Sequence, residues 1–140
     1  MLLSSVFFGI KHATRVMEGN GGVIINTAST AGVRAGLGPH VYTAAKHGVL
    51  GLTKQAAINH LADNIRVNAV SPGPTLTEAT KAGLEGVPET VQKKISALNP
   101  FGTLVDEDEI AATVLFLCSG RATMINGHDI PLDGGQLAKL

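Results

Sequence analysis

The chain has 140 residues, of which 44% are hydrophobic and 16% are charged, so it is long enough and apolar enough to bury a core. Lysine plus arginine equals aspartate plus glutamate at 11 each, and no basic run occurs, so nucleic acid is not an expected partner. The single cysteine excludes an internal disulfide bond, and no cysteine–histidine set has zinc spacing.

An apolar stretch opens the chain, but it matches neither a signal peptide nor a membrane span. No basic residue precedes it, no convincing small-residue cleavage pattern follows it, and it is too short to cross a bilayer. We therefore expect a cytoplasmic protein with no membrane partner.

The first half of the chain alternates between helical and strand patterns. Apolar residues first recur at helical spacing, and a run of glycines ends that pattern. A short apolar run then predicts a buried strand, and a later apolar stripe predicts a second helix. The predicted elements are a helix at 2–18, a strand at 22–28, a loop at 34–39, a helix at 40–62 and a strand at 65–71.

A polar segment follows the second predicted strand. Residues 78–100 contain scattered glycines and prolines and one short predicted helix, from Pro88 to Leu98. A polar connection after the carboxyl end of a strand suits a mobile lid.

Acidic residues begin the last predicted helix. Asp106 and Glu109 fit a capping box, and the acidic cluster is interpreted as a helix start and not as a metal site. Cys118 falls in the apolar pattern of that helix, which predicts a small buried side chain. Residues 128–132 predict a third, short strand, and Pro131 places it at an edge of the sheet.

The only tyrosine in the sequence, Tyr42, stands four residues before Lys46 near the start of the second predicted helix. Residues at that spacing project from one helix face, so the phenol and the ammonium should meet. A cation held there favours the phenolate and should lower the tyrosine pKa from about 10. Such a tyrosine can act as a general acid or base, although the same spacing also suits a solvated helix face.

Ser29 ends the first predicted strand, thirteen residues before Tyr42. In open α/β sheets ligands bind at the carboxyl ends of the strands, so a hydroxyl at this point is a candidate for substrate contact.

Four signals occur in order: Ile25-Asn26-Thr27-Ala28-Ser29-x-x-Gly32, the tyrosine–lysine pair, Asn68-x-Val70-x-Pro72-Gly73-x-x-x-Thr77, and Asp133-Gly134-Gly135. Together they resemble the short-chain dehydrogenase/reductase family, from about Val6 to Gly135. The resemblance implies an α/β fold with a Rossmann-like doubly wound parallel sheet, here incomplete, with the last three strands and their helices only. Residues 1–140 would then be the carboxyl-terminal portion of one NAD(P)-binding domain, with a substrate lid at about 74–100.

The resemblance also implies reversible hydride transfer between NAD or NADP and a small alcohol or carbonyl substrate. Tyr42 would exchange a proton with the substrate oxygen, Lys46 would assist it and hold the nicotinamide ribose, and Ser29 would hydrogen-bond the substrate. The residues implied to contact the cofactor are Tyr42, Lys46, Pro72, Gly73, Thr75 and Thr77. Without the resemblance, the segment after Pro72 also suits an ordinary turn in which a threonine caps a helix.

Two departures from the family pattern limit this expectation. No glycine-rich turn follows a strand and opens a helix, and Leu2 occupies the position that the family gives to a catalytic asparagine. We therefore expect a truncated family member that binds the dinucleotide weakly or not at all by itself. The strand at 22–28 would then form an open edge.

Two alternatives remain open. In the family the helices at 2–18 and 40–62 commonly build a subunit interface, so the full-length form is expected to be a homodimer or homotetramer, and this chain could be a non-catalytic partner of a full-length relative. Sugar-nucleotide epimerases and dehydratases also share Tyr-x-x-x-Lys. The close spacing of Ser29 and Tyr42 and the Asp-Gly-Gly ending favour the dehydrogenase branch.

Overall fold

The computed structural model describes residues 1–139. Within them the chain forms five α-helices, three strands and two short 3₁₀ turns. The helices are α1 (Leu2–Met17), α2 (His40–Asn59), α3 (Glu78–Leu84), α4 (Glu89–Ser96) and α5 (Glu107–Cys118). The strands are β1 (Gly22–Thr27), β2 (Ile65–Pro72) and β3 (Asp129–Leu132), and the 3₁₀ turns are Thr30–Gly32 and Gly120–Ala122.

The three strands form one parallel sheet in the order β1-β2-β3. Gly22 lies opposite Ile65 at the start of the first pairing, and Ala69 lies opposite Asp129 at the start of the second. The central strand is almost wholly buried, as expected for a parallel strand covered on both faces. The prediction that β3 lies at an edge is confirmed, and β1 forms the other edge of the described sheet.

Alternate side chains of β2 face opposite layers of helices. Val67 is fully buried in a cluster with Ile10 of α1 and Ala57 of α2. Its neighbour Arg66 points to the other face, where its guanidinium donates hydrogen bonds to the Leu117 carbonyl of α5 at 2.8 Å and to the Ile125 carbonyl at 3.1 Å. Helices therefore cover both faces of the sheet, which is the predicted doubly wound arrangement.

Two asparagines of the sequence motifs form side-chain hydrogen bonds that connect elements of the fold. The Asn26 amide of β1 donates to Thr53 Oγ1 of α2 at 2.9 Å in the buried interior. The Asn68 amide of β2 donates to the Ile125 carbonyl at 2.8 Å, and its oxygen accepts from the His128 amide at 3.0 Å. These bonds fix α2 and the turn before β3 against the sheet, since buried polar groups that are paired help to specify one arrangement.

The polar segment between β2 and α5 contains two helices where the sequence predicts one. The predicted helix at Pro88–Leu98 corresponds to α4, whereas α3 was not predicted. Thr77 Oγ1 caps α3 by accepting from the Thr80 amide at 3.1 Å, and Glu78 favours the positive end of the helix dipole. With seven residues and no buried side chain, α3 has no apolar stripe that could have revealed it.

Three local predictions are wrong. The second helix ends at Asn59 and not at residue 62. Asp106 caps α5 by accepting from the Asp108 amide at 3.0 Å, but Glu109 makes no return bond to Asp106 among the hydrogen bonds of the described residues, so the capping box is incomplete. Cys118 is exposed, because it lies on a part of α5 that nothing in residues 1–139 covers. None of the helices within residues 1–139 has the length and apolar character that a bilayer span demands.

Candidate active site

A cavity of about 190 Å³ lies at the carboxyl edge of the sheet. Ser29, which follows β1, and Gly73, which follows β2, both line it, because parallel strands end at the same edge. Tyr42 enters the same cavity from the first turn of α2. The sequence-predicted serine and tyrosine are therefore brought together. The full lining is Ser29, Thr30, Leu37, Tyr42, Gly73, Pro74, Leu98 and Gln136.

Ser29 is positioned by the 3₁₀ turn that it begins. Its backbone is extended, and its Oγ accepts a hydrogen bond from the Ala31 amide at 3.2 Å. The serine hydroxyl hydrogen takes no part in that bond, so it can donate into the cavity. The turn thus orients the hydroxyl and leaves its donor capacity for a ligand.

Tyr42 is held by the loop before α2. An added Cβ at Gly38 would lie 2.9 Å from Tyr42 Cδ1, so the backbone of this loop lies against the edge of the ring. The Thr43 hydroxyl donates to the Gly38 carbonyl at 3.3 Å and joins the same loop to the helix. A glycine is therefore required at position 38 for the ring to occupy its place.

Lys46 lies one helical turn after Tyr42 and on the same face of α2. Its Nζ is 5.7 Å from the centre of the tyrosine ring and donates a hydrogen bond to the Thr27 carbonyl at 2.8 Å. Partial burial lowers the pKa of Lys46 from its ordinary value. The lysine ammonium therefore lies near the tyrosine ring, as predicted. The carbonyl of the last residue of β1 fixes the position of the ammonium.

Close packing of two backbones supports this group. An added Cβ at Gly32 would lie 2.7 Å from the Lys46 carbonyl oxygen and 2.9 Å from its carbon. Only glycine allows the 3₁₀ turn after Ser29 to approach α2 this closely. The distance between the serine and the tyrosine–lysine face therefore depends on Gly32.

Backbone hydrogen bonds to two neighbouring segments hold residues 73–75, which are implied to bind the cofactor. The Gly73 amide donates to the Leu132 carbonyl of β3 at 2.9 Å. Thr75 forms an isolated parallel bridge with Val105, and the Val105 amide donates to the Pro74 carbonyl at 2.8 Å. The corner at Pro72 and Gly73 thus has a defined shape beside the cavity.

The two threonines implied to bind the cofactor already make local bonds. The Thr75 hydroxyl donates to the Gly73 carbonyl at 2.9 Å. The Thr77 hydroxyl accepts from the Thr80 amide as the cap of α3, and it lies 3.0 Å from the Thr80 hydroxyl. Neither residue lines the 190 Å³ cavity, so their contact with a cofactor stays a prediction.

Sequence reasoning named no individual role for five cavity residues, although two of them, Pro74 and Leu98, fall within the predicted lid; the five are Thr30, Leu37, Pro74, Leu98 and Gln136. The leucines come from a loop and from the end of the polar segment, where no periodic pattern marks a buried face. Gln136 follows Asp133-Gly134-Gly135, whose two glycines have φ of +58° and +90°. Such a turn reverses the chain toward the sheet, and this signal could have indicated the glutamine that follows it.

Leu2, at the position that the family gives to an asparagine, is the first residue of α1 and is about half exposed. Its neighbour Leu3 packs against α2, since an added Cβ at Gly48 would lie 2.9 Å from Leu3 Cδ1. The start of α1 therefore contacts the helix that carries Tyr42 and Lys46, but it offers no carboxamide at position 2.

Comparisons with known proteins agree with this arrangement. The family model described as "Enoyl-(Acyl carrier protein) reductase" matches residues 1–136. Levodione reductase from Leifsonia aquatica is 36% identical over 141 residues, covering 97% of this chain and 53% of the reductase. A levodione reductase crystal structure superposes with a TM-score of 0.89 at 34% identity, covering 99% of this chain and 56% of that chain. ElxO with NADP bound superposes with a TM-score of 0.79 at 31% identity, covering 94% of this chain and 52% of ElxO.

A parallel sheet covered by helices on both faces, with polar side chains at its carboxyl edge, defines the class of Rossmann-like α/β proteins. Within that class the chain belongs to the short-chain dehydrogenase/reductase family. The predicted family and fold are confirmed, and the predicted cofactor is confirmed at the level of the family by a relative that holds NADP. The chain spans about half the length of the curated relatives that it matches.

Proposed function

We propose that the natural protein carrying this sequence is an oxidoreductase that transfers hydride reversibly between NAD or NADP and a small alcohol or carbonyl compound. The observation that carries the proposal is the shared cavity of Ser29 and Tyr42 with Lys46 on the same helix face. Levodione reductase, a relative over nearly the whole chain, is by its name a reductase, which supports the same chemistry.

In the proposed reaction the tyrosine, the serine and the lysine each have a separate role in proton transfer. During reduction the Tyr42 hydroxyl gives its proton to the carbonyl oxygen, and during oxidation it takes the proton of the alcohol. The Ser29 hydroxyl donates a hydrogen bond to the same oxygen, where negative charge develops. The Lys46 ammonium, held by the Thr27 carbonyl at 5.7 Å from the centre of the tyrosine ring, assists this proton transfer and would hold the nicotinamide ribose. When bound, the nicotinamide supplies or accepts the hydride.

The described residues fit the nicotinamide end of such a cofactor. Gly73 presents a corner without a side chain at the cavity wall, and the bonds to Leu132 and Val105 hold the segment that follows. In the proposal Pro72 and Gly73 lie against the nicotinamide, and the backbone near Thr75 and the hydroxyl of Thr77 bind its carboxamide. The sequence shows no glycine-rich turn for the pyrophosphate, so we propose that these 140 residues alone bind the dinucleotide weakly or not at all.

Residues 74–100 are proposed to close over the substrate. Helices α3 and α4 have no buried residue, and Leu98 beyond α4 lines the cavity. Pro74 and Leu98 contact the cavity near the two ends of the segment and Asn99 is buried, whereas the helices between them have few buried contacts and can move at low cost.

The proposed function is tested by titrating NADH and NADPH into the natural protein and then assaying nicotinamide oxidation with small ketones. We expect saturable binding of at least one cofactor and turnover with at least one ketone. Absence of binding by both cofactors would overturn the proposal. If the natural protein extends beyond these 140 residues and supplies a glycine-rich turn, the same titration on residues 1–140 alone is expected to show binding that is at least an order of magnitude weaker.

We also propose that α1 and α2 form the contact of a homodimer, which could assemble further into a tetramer. Leu3, Phe7 and Phe8 of α1 and Leu52 of α2 line a groove of about 300 Å³, and we call these four residues the apolar helix face. Phe7 and Phe8 are about half exposed and contact each other edge to face at 5.4 Å. Clustered exposed aromatic rings are typical of interface centres.

Phe7→Glu is expected to convert the oligomer of the natural protein to a species of half its mass, because a carboxylate at the centre of the apolar helix face would be buried without a partner. Light scattering after size exclusion measures the mass. Val91→Glu on α4, also exposed, is the matched control and should leave the mass unchanged. An unchanged mass in Phe7→Glu would place the interface elsewhere.

A further inference from the structure

Gln136 Oε1 is the one fully buried side-chain oxygen or nitrogen atom of the described residues that has no hydrogen-bond partner. The residue is 6% exposed, and its Oε1 is buried and accepts no bond from any described residue. A buried amide oxygen that has lost its water without gaining a donor is costly, so an unpaired one in a folded protein calls for an explanation.

The unpaired carboxamide lies at the candidate active site. Gln136 lines the same 190 Å³ cavity as Ser29 and Tyr42. An added Cβ at Gly73 would lie 3.4 Å from Gln136 Oε1, so the oxygen sits over the bare backbone of the Pro72–Gly73 corner. Gln136 is therefore part of the wall of the region where the reacting groups would meet.

The backbone around Gln136 is fixed on both sides. Asp133 Oδ1 accepts from the Gly135 amide at 2.9 Å, and Asp133 Oδ2 accepts from the Leu137 amide at 2.8 Å. The Gln136 amide itself donates to the Asp133 carbonyl at 3.1 Å. An added Cβ at Gly134 would overlap the Asn99 carboxamide, so this turn is packed closely against its neighbour. The backbone that carries the glutamine side chain is thus held in place before any ligand arrives, which favours a specificity role.

We propose that Gln136 determines substrate specificity by binding a hydroxyl group carried next to the reacting carbon, so that the site prefers small hydroxy ketones and the corresponding diols. This inference rests on the proposed function. An unpaired oxygen needs a donor, and a hydroxyl can also accept a bond, so it satisfies the carboxamide in either of its two orientations. The cavity of about 190 Å³ is smaller than the range of about 300–1,000 Å³ that is typical of sites for drug-sized ligands, so it suits a small substrate.

The test compares hydroxyacetone with butanone, which replaces the hydroxyl by a methyl group of similar size. Both ketones are assayed with the natural protein and with Gln136→Leu. The hydroxyacetone preference is kcat/KM for hydroxyacetone divided by kcat/KM for butanone. Dividing the preference of the natural protein by that of the variant removes the intrinsic difference in reactivity between the two ketones. We expect the hydroxyacetone preference in kcat/KM to fall about tenfold in the variant, with butanone little changed, as for one lost hydrogen bond. Gln55→Leu, the same replacement at an exposed position of α2, should keep the preference.

An equal change for the two ketones in Gln136→Leu would overturn the inference, since it would indicate a structural role only. If the natural protein reduces neither ketone, the proposed function fails for this substrate class, and binding decides the inference separately. The side-chain amide resonances of Gln136, identified by their loss in Gln136→Leu, are then followed during titration. A shift with hydroxyacetone that butanone does not produce supports the inference, and equal responses, or none to either ketone, overturn it.

Discussion

Tyr42→Phe is expected to lower turnover by about 10²- to 10⁴-fold while the cofactor still binds. The replacement removes one hydroxyl and keeps the ring that packs against Gly38. Because Lys46 is held by the Thr27 carbonyl and not by the phenol, the ammonium should keep its place in the variant. The loss would therefore report proton transfer, and it is measured as kcat together with a cofactor titration.

Thr43→Val is the matched control for Tyr42→Phe. It also removes one hydroxyl from the first turn of α2, but that hydroxyl donates to the Gly38 carbonyl and Thr43 does not line the cavity. Its turnover should stay within a few-fold of the natural protein, since one exposed hydrogen bond contributes about 1 kcal/mol. Full turnover in Tyr42→Phe would remove the tyrosine from the proposed chemistry.

Gly32→Ala is expected to destabilise the protein by about 1–3 kcal/mol and to lower turnover as well. The new methyl group would lie 2.7 Å from the Lys46 carbonyl oxygen, and backbone atoms cannot rotate away as a side chain can. The 3₁₀ turn must then move away from α2, and Ser29, which begins that turn, must move with it. Thermal unfolding measures the first effect and kcat the second.

Gly51→Ala makes the same glycine-to-alanine replacement as Gly32→Ala but is expected to stabilise the protein. Gly51 is exposed in the middle of α2, and an added Cβ there meets nothing within 4 Å. Alanine favours a helix over glycine by about 1 kcal/mol, so this variant should be slightly more stable. If Gly32→Ala unfolds at the same temperature as the natural protein, the close approach of the turn and α2 does not determine the geometry of the site.

The part of the site that depends on local periodicity could be predicted from the sequence. Tyr42 and Lys46 share a helix face because their spacing is one turn, and Ser29 lies beside them because parallel strands end at one edge. Both inferences need only the order of elements along the chain. The family resemblance then supplied roles for these residues that spacing alone could not assign.

The remaining features depend on contacts between distant parts of the chain. Gln136 reaches the cavity because Asp133 and two left-handed glycines turn the chain beside Asn99; the glycine pair indicates the turn, but no local pattern indicates the packing against Asn99. The exposure of Cys118 was mispredicted for a related reason, since an apolar helix pattern shows which residues could be buried but not whether another element covers them. The extent of the short helix α3 was not predicted, because it has a threonine cap but no buried apolar face that would give a periodic pattern.

The partner of Lys46 is the main-chain oxygen of Thr27, a group that every amino acid possesses. Substitution at position 27 can therefore change the side chain freely without releasing the amine, provided that the strand keeps its alignment with its neighbour. A shift of β1 by one residue along β2, in contrast, would carry that oxygen about 3.3 Å away from the amine with every side chain intact. The anchoring of the lysine is thus encoded in strand alignment, which explains how a functional contact can leave no trace in a residue motif.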